Sequence, residues 1–315
     1  MESGEWRVES KEWRVESKEL KFFITDVFGE TKYSGNQLAT FLNCQNLSER
    51  EMQQIAREIN FSESTFVLSD EPNNGGYDVR IFTPEREVDF AGHPTLGTAY
   101  IIKKHILAKP ANEVILNLKV GQLPVQIAGS AHDGLLWMQQ VKPEFGGKLD
   151  REQLAIVLHL ATDEIAENWP IEEISTGLPF IIVPLKSMGA LKKAAVAKAH
   201  YNKLVRTTWA KGILVFCPGG YTANQNLAVR VFVDYYGIPE DPATGSGNGC
   251  LAAYLVKNRY FQSPAIDICT GQGYEIGRPS QLYLKAIEES GSINIKVGGK
   301  VIPVAEGWWE SRFNL

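Results

Sequence analysis

The feature that most constrains this chain is an internal echo. Val79-Arg-Ile-Phe82 is followed by a glycine-containing turn and then by Ala99-Tyr-Ile-Ile-Lys103; Val229-Arg-Val-Phe232 is followed by a glycine-rich turn and then by Ala253-Tyr-Leu-Val-Lys257. The two apolar segments lie 154 positions apart, and the second turn is four residues longer than the first. A third element keeps the same order. A helix opening at Ser48 leads to a strand after Glu63, and a helix opening at Asp150 leads to a strand at Phe180. Three elements repeated in one order imply two copies of one fold. On this alignment the stretch Ser175-Thr-Gly-Leu-Pro-Phe180 matches the segment around Glu63 and sets Gly177 opposite that acid.

Short β-like runs dominate both halves, among them 22–27, 64–68, 77–82 and 114–118, then 180–184, 212–216, 228–233 and 281–285. Helices are fewer. Ser48 with Glu51 forms a capping box, with Met52, Ile55, Ala56 and Ile59 on one face, and Asp150 with Gln153 repeats the signal. Strands that outnumber helices without alternating with them predict an α+β fold. The two echoed helices are different in kind, because they are apolar nearly all round: Leu96, Ala99, Tyr100, Ile101 and Ile102, then Leu251, Ala252, Tyr254, Leu255 and Val256. Such helices are buried, here inside the sheet of each half. Each starts at a loop of small residues, Ala91-Gly-His-Pro-Thr95 and Ala243-Thr-Gly-Ser-Gly-Asn-Gly249. A helix N-terminus carries unpaired N–H groups and partial positive charge, and glycine lets a ligand approach. If the halves are pseudo-twofold mates, both helix starts face one cleft, which suits a carboxylate or a developing enolate.

Composition narrows the function classes. A net charge of −5 with scattered basic residues gives no reason to expect nucleic acid or an anionic membrane. No apolar run reaches the roughly 18–20 residues of a membrane span, and the charged first twenty residues do not read as a secretory signal. Cys44, Cys217, Cys250 and Cys269 lack Cys-x-x-Cys spacing, so neither a disulfide framework nor a metal site is suggested, and a cytoplasmic protein is expected. Glu5-Trp-Arg-Val-Glu-Ser-Lys11 is repeated at once over residues 12–18, and this duplication reads as a redundant lead-in to the first strand rather than as a partner-binding arm.

Glu63 sits at an element junction beside Phe61, Phe66 and Val67, where burial would raise its pKa toward that of a general base. A solvated loop acid is the alternative. His93 before Pro94 reads as a turn residue, a substrate contact or a proton partner for Glu63; Asp241 before Pro242 reads as a turn former or a substrate contact; Ser246 caps a helix or binds substrate. Their convergence on two corresponding helix starts favours a site. The runs Asn60-Phe-Ser-Glu-Ser-Thr-Phe66, Arg80-Ile-Phe-Thr-Pro84, Asp89-Phe-Ala-Gly-His-Pro-Thr95, Gly237-Ile-Pro-Glu-Asp-Pro-Ala-Thr-Gly-Ser246 and Gln272-Gly-Tyr-Glu-Ile-Gly-Arg-Pro-Ser280 resemble the PhzF-like family of the diaminopimelate-epimerase-like superfamily, from Leu20 onward.

The resemblance implies two pseudo-symmetric α+β domains, each an open β-barrel around a central helix. Residues 1–125 with 296–315 would form one domain, and 126–295 the other. It implies a homodimeric isomerase without metal or cofactor, catalysing a one-base proton shift (a double-bond isomerisation) on a small carboxylate substrate. Glu63 would be the catalytic acid–base, with Gly92, His93, Asp241, Gly245, Ser246 and Gly247 holding substrate. Two departures stand near these motifs: Gly35-Asn36 is followed by Gln37 where proline is usual, and Phe232-Val233-Asp234 replaces Phe-Ala-Pro. Two other functions stay open, a two-base racemase or epimerase of the same superfamily and a non-catalytic small-molecule-binding or interaction protein. The racemase would need a thiol at each helix start, where this chain has His93 and Ser246.

Overall fold

The computed structural model describes residues 18–129 and 134–311, so nearly all of the duplicated heptapeptide lies outside the described residues. The first half runs β1 (Lys18–Val27), β2 (Asn36–Phe41), α1 (Glu49–Ile59), β3 (Glu63–Val67), β4 (Tyr77–Phe82), β5 (Glu87–Val88), α2 (Gly92–His105), β6 (Glu113–Leu118), β7 (Gly121–Ala128) and β8 (Leu135–Gln139). The second runs β9 (Glu144–Leu149), α3 (Arg151–Val157), β10 (Ile171–Ser175), β11 (Pro179–Pro184), α4 (Met188–Lys193), α5 (Lys198–Thr207), β12 (Gly212–Pro218), β13 (Leu227–Val233), β14 (Ile238–Asp241), α6 (Gly245–Lys257), β15 (Ala265–Gln272), β16 (Ser280–Glu289) and β17 (Ser292–Gly299). The last strand, β18 (Val301–Ser311), returns to pair with β1.

Strand pairing shows the duplication directly. The order β18-β1-β2-β3-β4-β6-β7-β8 in one half is matched by β9-β10-β11-β12-β13-β15-β16-β17 in the other. Even the senses agree: β2–β3 and β11–β12 are parallel, as are β4–β6 and β13–β15, and the remaining pairs in both series are antiparallel. The antiparallel β8–β17 pair joins the halves at the pseudo-twofold. The expected domain boundary at 125/126 falls inside β7, whose partners β6 and β8 both follow the first-half pattern.

Each half curls around its own apolar helix. α2 is buried from His93 to Ala99 and again at Ile101 and Ile102, and α6 from Gly247 to Val256, so the helices without a polar face are the central ones. The outer faces of the sheet are covered by ordinary amphipathic helices, α1 in the first half and α3, α4 and α5 in the second. α1, α3 and α4 carry side-chain caps from Ser48, Asp150 and Ser187.

This arrangement corrects the alignment of the two copies. α1 lies between β2 and β3, so its counterparts are α4 and α5, between β11 and β12; the Asp150 helix α3 precedes β10 and has no equivalent. Glu63 opens β3 opposite Leu38, as Gly212 opens β12 opposite Phe180. The counterpart of Glu63 is therefore Gly212 and not Gly177, which lies in the β10–β11 turn at φ 119°. The break in symmetry remains, an acid in one half and glycine in the other.

A duplicated ion pair sets up each central helix. Arg80 on β4 grips Glu87 through Nε and Nη2, both at 2.7 Å, and Arg230 on β13 grips Glu240 at 2.9 and 2.8 Å. Each fork fastens the hairpin that leads into α2 or α6, and each arginine also reaches an outer helix. Arg80 bonds Glu49 of α1, while Arg230 donates to the carbonyls of Leu191 and Ala194 at the end of α4. Removing one member of a buried pair strands the other charge and costs about 3–5 kcal/mol. The Arg230 side chain is 8% exposed and that of Arg80 23%. Arg230→Met is therefore expected to lower stability in urea unfolding by that amount and Arg80→Met by less. An equal or reversed order would contradict this account.

Candidate active site

Glu63 is delivered by a short, well-defined path. α1 ends at Asn60 in the left-handed conformation, φ 55°, and the chain turns into β3 three residues later. Strand alternation then points Glu63 and Thr65 inward and Ser64 and Phe66 outward. Thr65 Oγ1 meets Thr40 Oγ1 at 2.9 Å and accepts from Thr98 of α2 at 2.8 Å, which pins the inner face of β3 to the central helix. The Glu63 carboxylate consequently lies beside the start of α2, with Oε2 3.6 Å from His93 Nε2. The side chain keeps 20% exposure, yet Oε2 is sealed from solvent and has no hydrogen-bond partner. Burial first, and the nearby Asp241 charge second, push its pKa up to about 8.

His93 is nearly buried, and desolvation pulls its pKa down to about 3, so the ring is neutral. Its Nε2 lies 3.3 Å from the Gln37 carbonyl, which only accepts, so Nε2 carries the proton. The proline-to-glutamine departure at position 37 thus stands at the site, through a backbone atom.

Across the seam, β14 ends at Asp241 and α6 begins four residues later. A β-carbon placed on Gly92 would be 3.6 Å from both Gly245 Cα and Ser246 N, so the two helix starts abut. Neither has a side-chain cap, and neither first turn contains an acid. The Thr244 hydroxyl, in capping position, instead donates to Asp241 Oδ2 at 2.5 Å. Asn36 from the first half donates to Asp241 Oδ1 at 2.9 Å and to the Ala243 carbonyl at 3.1 Å. Gln272 holds the Asp241 carbonyl and Thr244, and Asn248 holds Gln272 in turn. Burial raises Asp241 to about 6 despite the lowering effect of the Thr244 and Asn36 bonds. The site thus contains one free carboxylate and one tied carboxylate.

Of the residues expected from sequence, Glu63, Gly92, His93, Asp241, Gly245 and Ser246 come together at the seam. Gly247 belongs to the same first turn of α6, and its Cβ direction is turned to the core, where a β-carbon would meet Thr244 Cγ2 at 3.2 Å and Leu214 Cδ1 at 3.3 Å. Asn36, Gln272 and Phe28 were not anticipated. Phe28 reaches from the β1–β2 loop to 3.5 Å from where a Gly245 β-carbon would sit. Among the described residues, no group of three or more His, Cys, Asp or Glu side chains is placed to hold a metal ion.

The model of the phenazine biosynthesis-like protein family, PhzC-PhzF, matches residues 25–307. The chain belongs to this family. It is 33% identical to the trans-2,3-dihydro-3-hydroxyanthranilate isomerase of Pseudomonas aeruginosa, over 91% of this chain and 98% of that protein. A solved PhzF-family protein of Bacillus anthracis superposes with a TM-score of 0.85 at 27% identity, over 93% of this chain and 99% of the other. The fold extends to a hydroxyproline epimerase from Agrobacterium vitis, with a TM-score of 0.60 at 10% identity over 95% and 93% of the two chains. The chain is accordingly an isomerase of the PhzF family with an epimerase-like α+β fold. No helix among its described residues is long and apolar enough to cross a membrane.

The raised pKa of Glu63 has a cost in stability. Below about pH 4.5 the carboxyl is protonated both folded and unfolded, with no penalty. Between there and about pH 8 the unfolded chain releases the proton more readily, so stability falls. Glu63→Gln removes this burden. The variant is expected to match the parent near pH 4 and to exceed it at pH 8, by on the order of a few kcal/mol. Parallel stability–pH curves from denaturant unfolding would refute the assignment.

Proposed function

We propose that this isomerase catalyses a one-base proton shift, a double-bond isomerisation on a small carboxylate, without a cofactor. The observation that carries the proposal is the contrast between the two acids: Glu63 Oε2 is buried and unbonded, whereas both oxygens of Asp241 are engaged by Asn36 and Thr244. A free carboxylate near pKa 8 is suited to general acid–base work near neutral pH. The first-turn N–H groups at Gly92, Gly245 and Ser246 lie beside it without side-chain caps, positioned to hold the substrate carboxylate and the charge that develops during reaction.

In this mechanism Glu63 takes a proton from a carbon activated by the adjacent unsaturation. The electron pair left behind delocalises toward the substrate carboxylate, and the same glutamic acid returns the proton to a second carbon on the same face. Electrons stay within the substrate throughout. His93, neutral and bonded through Nε2 to the Gln37 carbonyl, lies beside the Glu63 carboxyl group and does not move the proton itself. The name of the Pseudomonas relative supplies the first substrate to try, trans-2,3-dihydro-3-hydroxyanthranilate. A two-thiol racemase is disfavoured, because Cys250 is fully buried against Thr176 and Leu178 and burial pushes its thiol up to about 12.

With that substrate, Glu63→Gln is expected to lose roughly 10²- to 10⁴-fold in kcat while remaining folded. A near-parental rate in the variant would end the proposal. Because the base must be ionised, kcat/KM of the parent should climb with pH, reach half its plateau near 8 and level off above that. A stereospecifically deuterated substrate followed by NMR should give same-face delivery with part of the label retained. Delivery to the opposite face would require a second base.

A further inference from the structure

β8 and the residue that follows it carry the two side chains that lie against the meeting helices. Met138 Cε is 3.6 Å from where a β-carbon on Gly92 would sit, and Gln140, two residues on and on the same face, lies against α6. Gln140 is 6% exposed, its backbone N–H donates to the Ile295 carbonyl, and its side-chain Nε2 is buried without any hydrogen-bond partner. Its neighbour Thr176 donates from Oγ1 to the Ser246 carbonyl at 3.3 Å, linking this patch to the start of α6. The helix leaves room for both. A β-carbon on Gly249, one turn beyond Gly245, would stand 2.9 Å from Thr176 Oγ1 and 3.0 Å from Gln140 Oε1, so both side chains would have to shift.

Two locally unfavourable choices therefore coincide. Glycine inside a helix weakens the helix, and a buried amide without a partner destabilises the fold. A larger apolar residue in place of the pair would pack the same volume without either cost. Paired violations of this kind, beside a candidate site, point to a ligand that relieves them.

We infer that Gln140 is a substrate-binding residue, whose side-chain amide donates to an oxygen substituent of the substrate from the α6 side of the cleft, while Glu63 works from the α2 side. The inference rests on the function proposed above and extends it: the substrate carries an oxygen acceptor beyond the carboxylate held at the helix starts. Thr176, bonded to Ser246, fixes the wall against which that substituent sits.

The test uses Gln140→Leu and Gln140→Met, with the full-length protein and two probes, trans-2,3-dihydro-3-hydroxyanthranilate for turnover and its planar analogue 3-hydroxyanthranilate for calorimetric binding. Removal of an unpaired buried amide should raise the unfolding midpoint of the free protein in at least one variant. Loss of its bond to substrate should raise KM and the analogue Kd by roughly 10-fold, with a smaller effect on kcat. A purely structural residue would not combine higher stability with weaker binding. The inference is overturned if both variants are less stable than the parent, or if a stable variant binds the analogue as the parent does. If the parent itself neither turns over the substrate nor binds the analogue, the proposed substrate class fails, and the stability comparison alone decides whether the Gln140 amide is held in reserve for a ligand.

Discussion

The structure depends on one unfavourable contact, the meeting of two helix N-termini at Gly92 and Gly245. Each end carries roughly half a positive charge and several N–H groups without carbonyl partners. Neither helix softens this with an acidic first turn or a side-chain cap, although α1, α3 and α4 all have such caps. The acidic groups beside the contact come from elsewhere in the fold. Asp241 arrives from the strand before α6, and Glu63 from a strand of the other half. Because the acids are held by the sheet rather than by the helices, the first turns stay open toward the seam. On the proposed reading, a substrate carboxylate completes the charge balance that the protein leaves unfinished.

The duplication divides scaffold from chemistry. What repeats is whatever brings a buried helix to the seam: strand order, the parallel crossovers, and an arginine fork to the hairpin before each helix. What differs is the set of groups that would touch substrate. Glu63 has Gly212 as its counterpart, and a β-carbon at Gly212 would collide with the Phe180 ring at 2.6 Å, so the second half has no space for an acid there. Asn36 ties the unlike parts together, since one amide from the first half fixes both Asp241 and the Ala243 carbonyl. Symmetric halves carrying unlike side chains give the cleft two chemically distinct faces, which a one-base reaction requires.

Much of this was legible in the sequence, for identifiable reasons. A helix apolar on every side has few places to go, so α2 and α6 declared their burial, and with it the two-copy fold. Glu63 stood out because an acid interrupts an otherwise apolar junction. The register between copies was misread because the connections differ: one helix joins β2 to β3, whereas two join β11 to β12, and the Ser-like and Asp-like caps of α1 and α3 made the wrong pair look equivalent. Asn36 is visible in the sequence only as part of a family tripeptide, and Gln140 carries no local signal. Asn36 acquires meaning from a partner 205 residues away, and Gln140 from the pairing of β8 with β17, which only the closed sheet creates.

Phe28 shows how the separation at the seam is fixed. It is a bulky residue fully buried in the left-handed region at φ 65°, a conformation that costs about 1–3 kcal/mol and persists only where its surroundings impose it. The surroundings are specific. Its N–H donates to the Lys300 carbonyl, its own carbonyl accepts from Gln281, and its ring lies where a β-carbon on Gly299 would be. Held from both sides, the ring extends from the first half to the Gly245 end of α6. Burying a phenyl group contributes on the order of 1.5–3 kcal/mol, enough to offset the backbone strain. The strained turn is thus a spacer whose length is set by a rigid ring. It props the first half against the Gly245 end of α6, on one side of the seam.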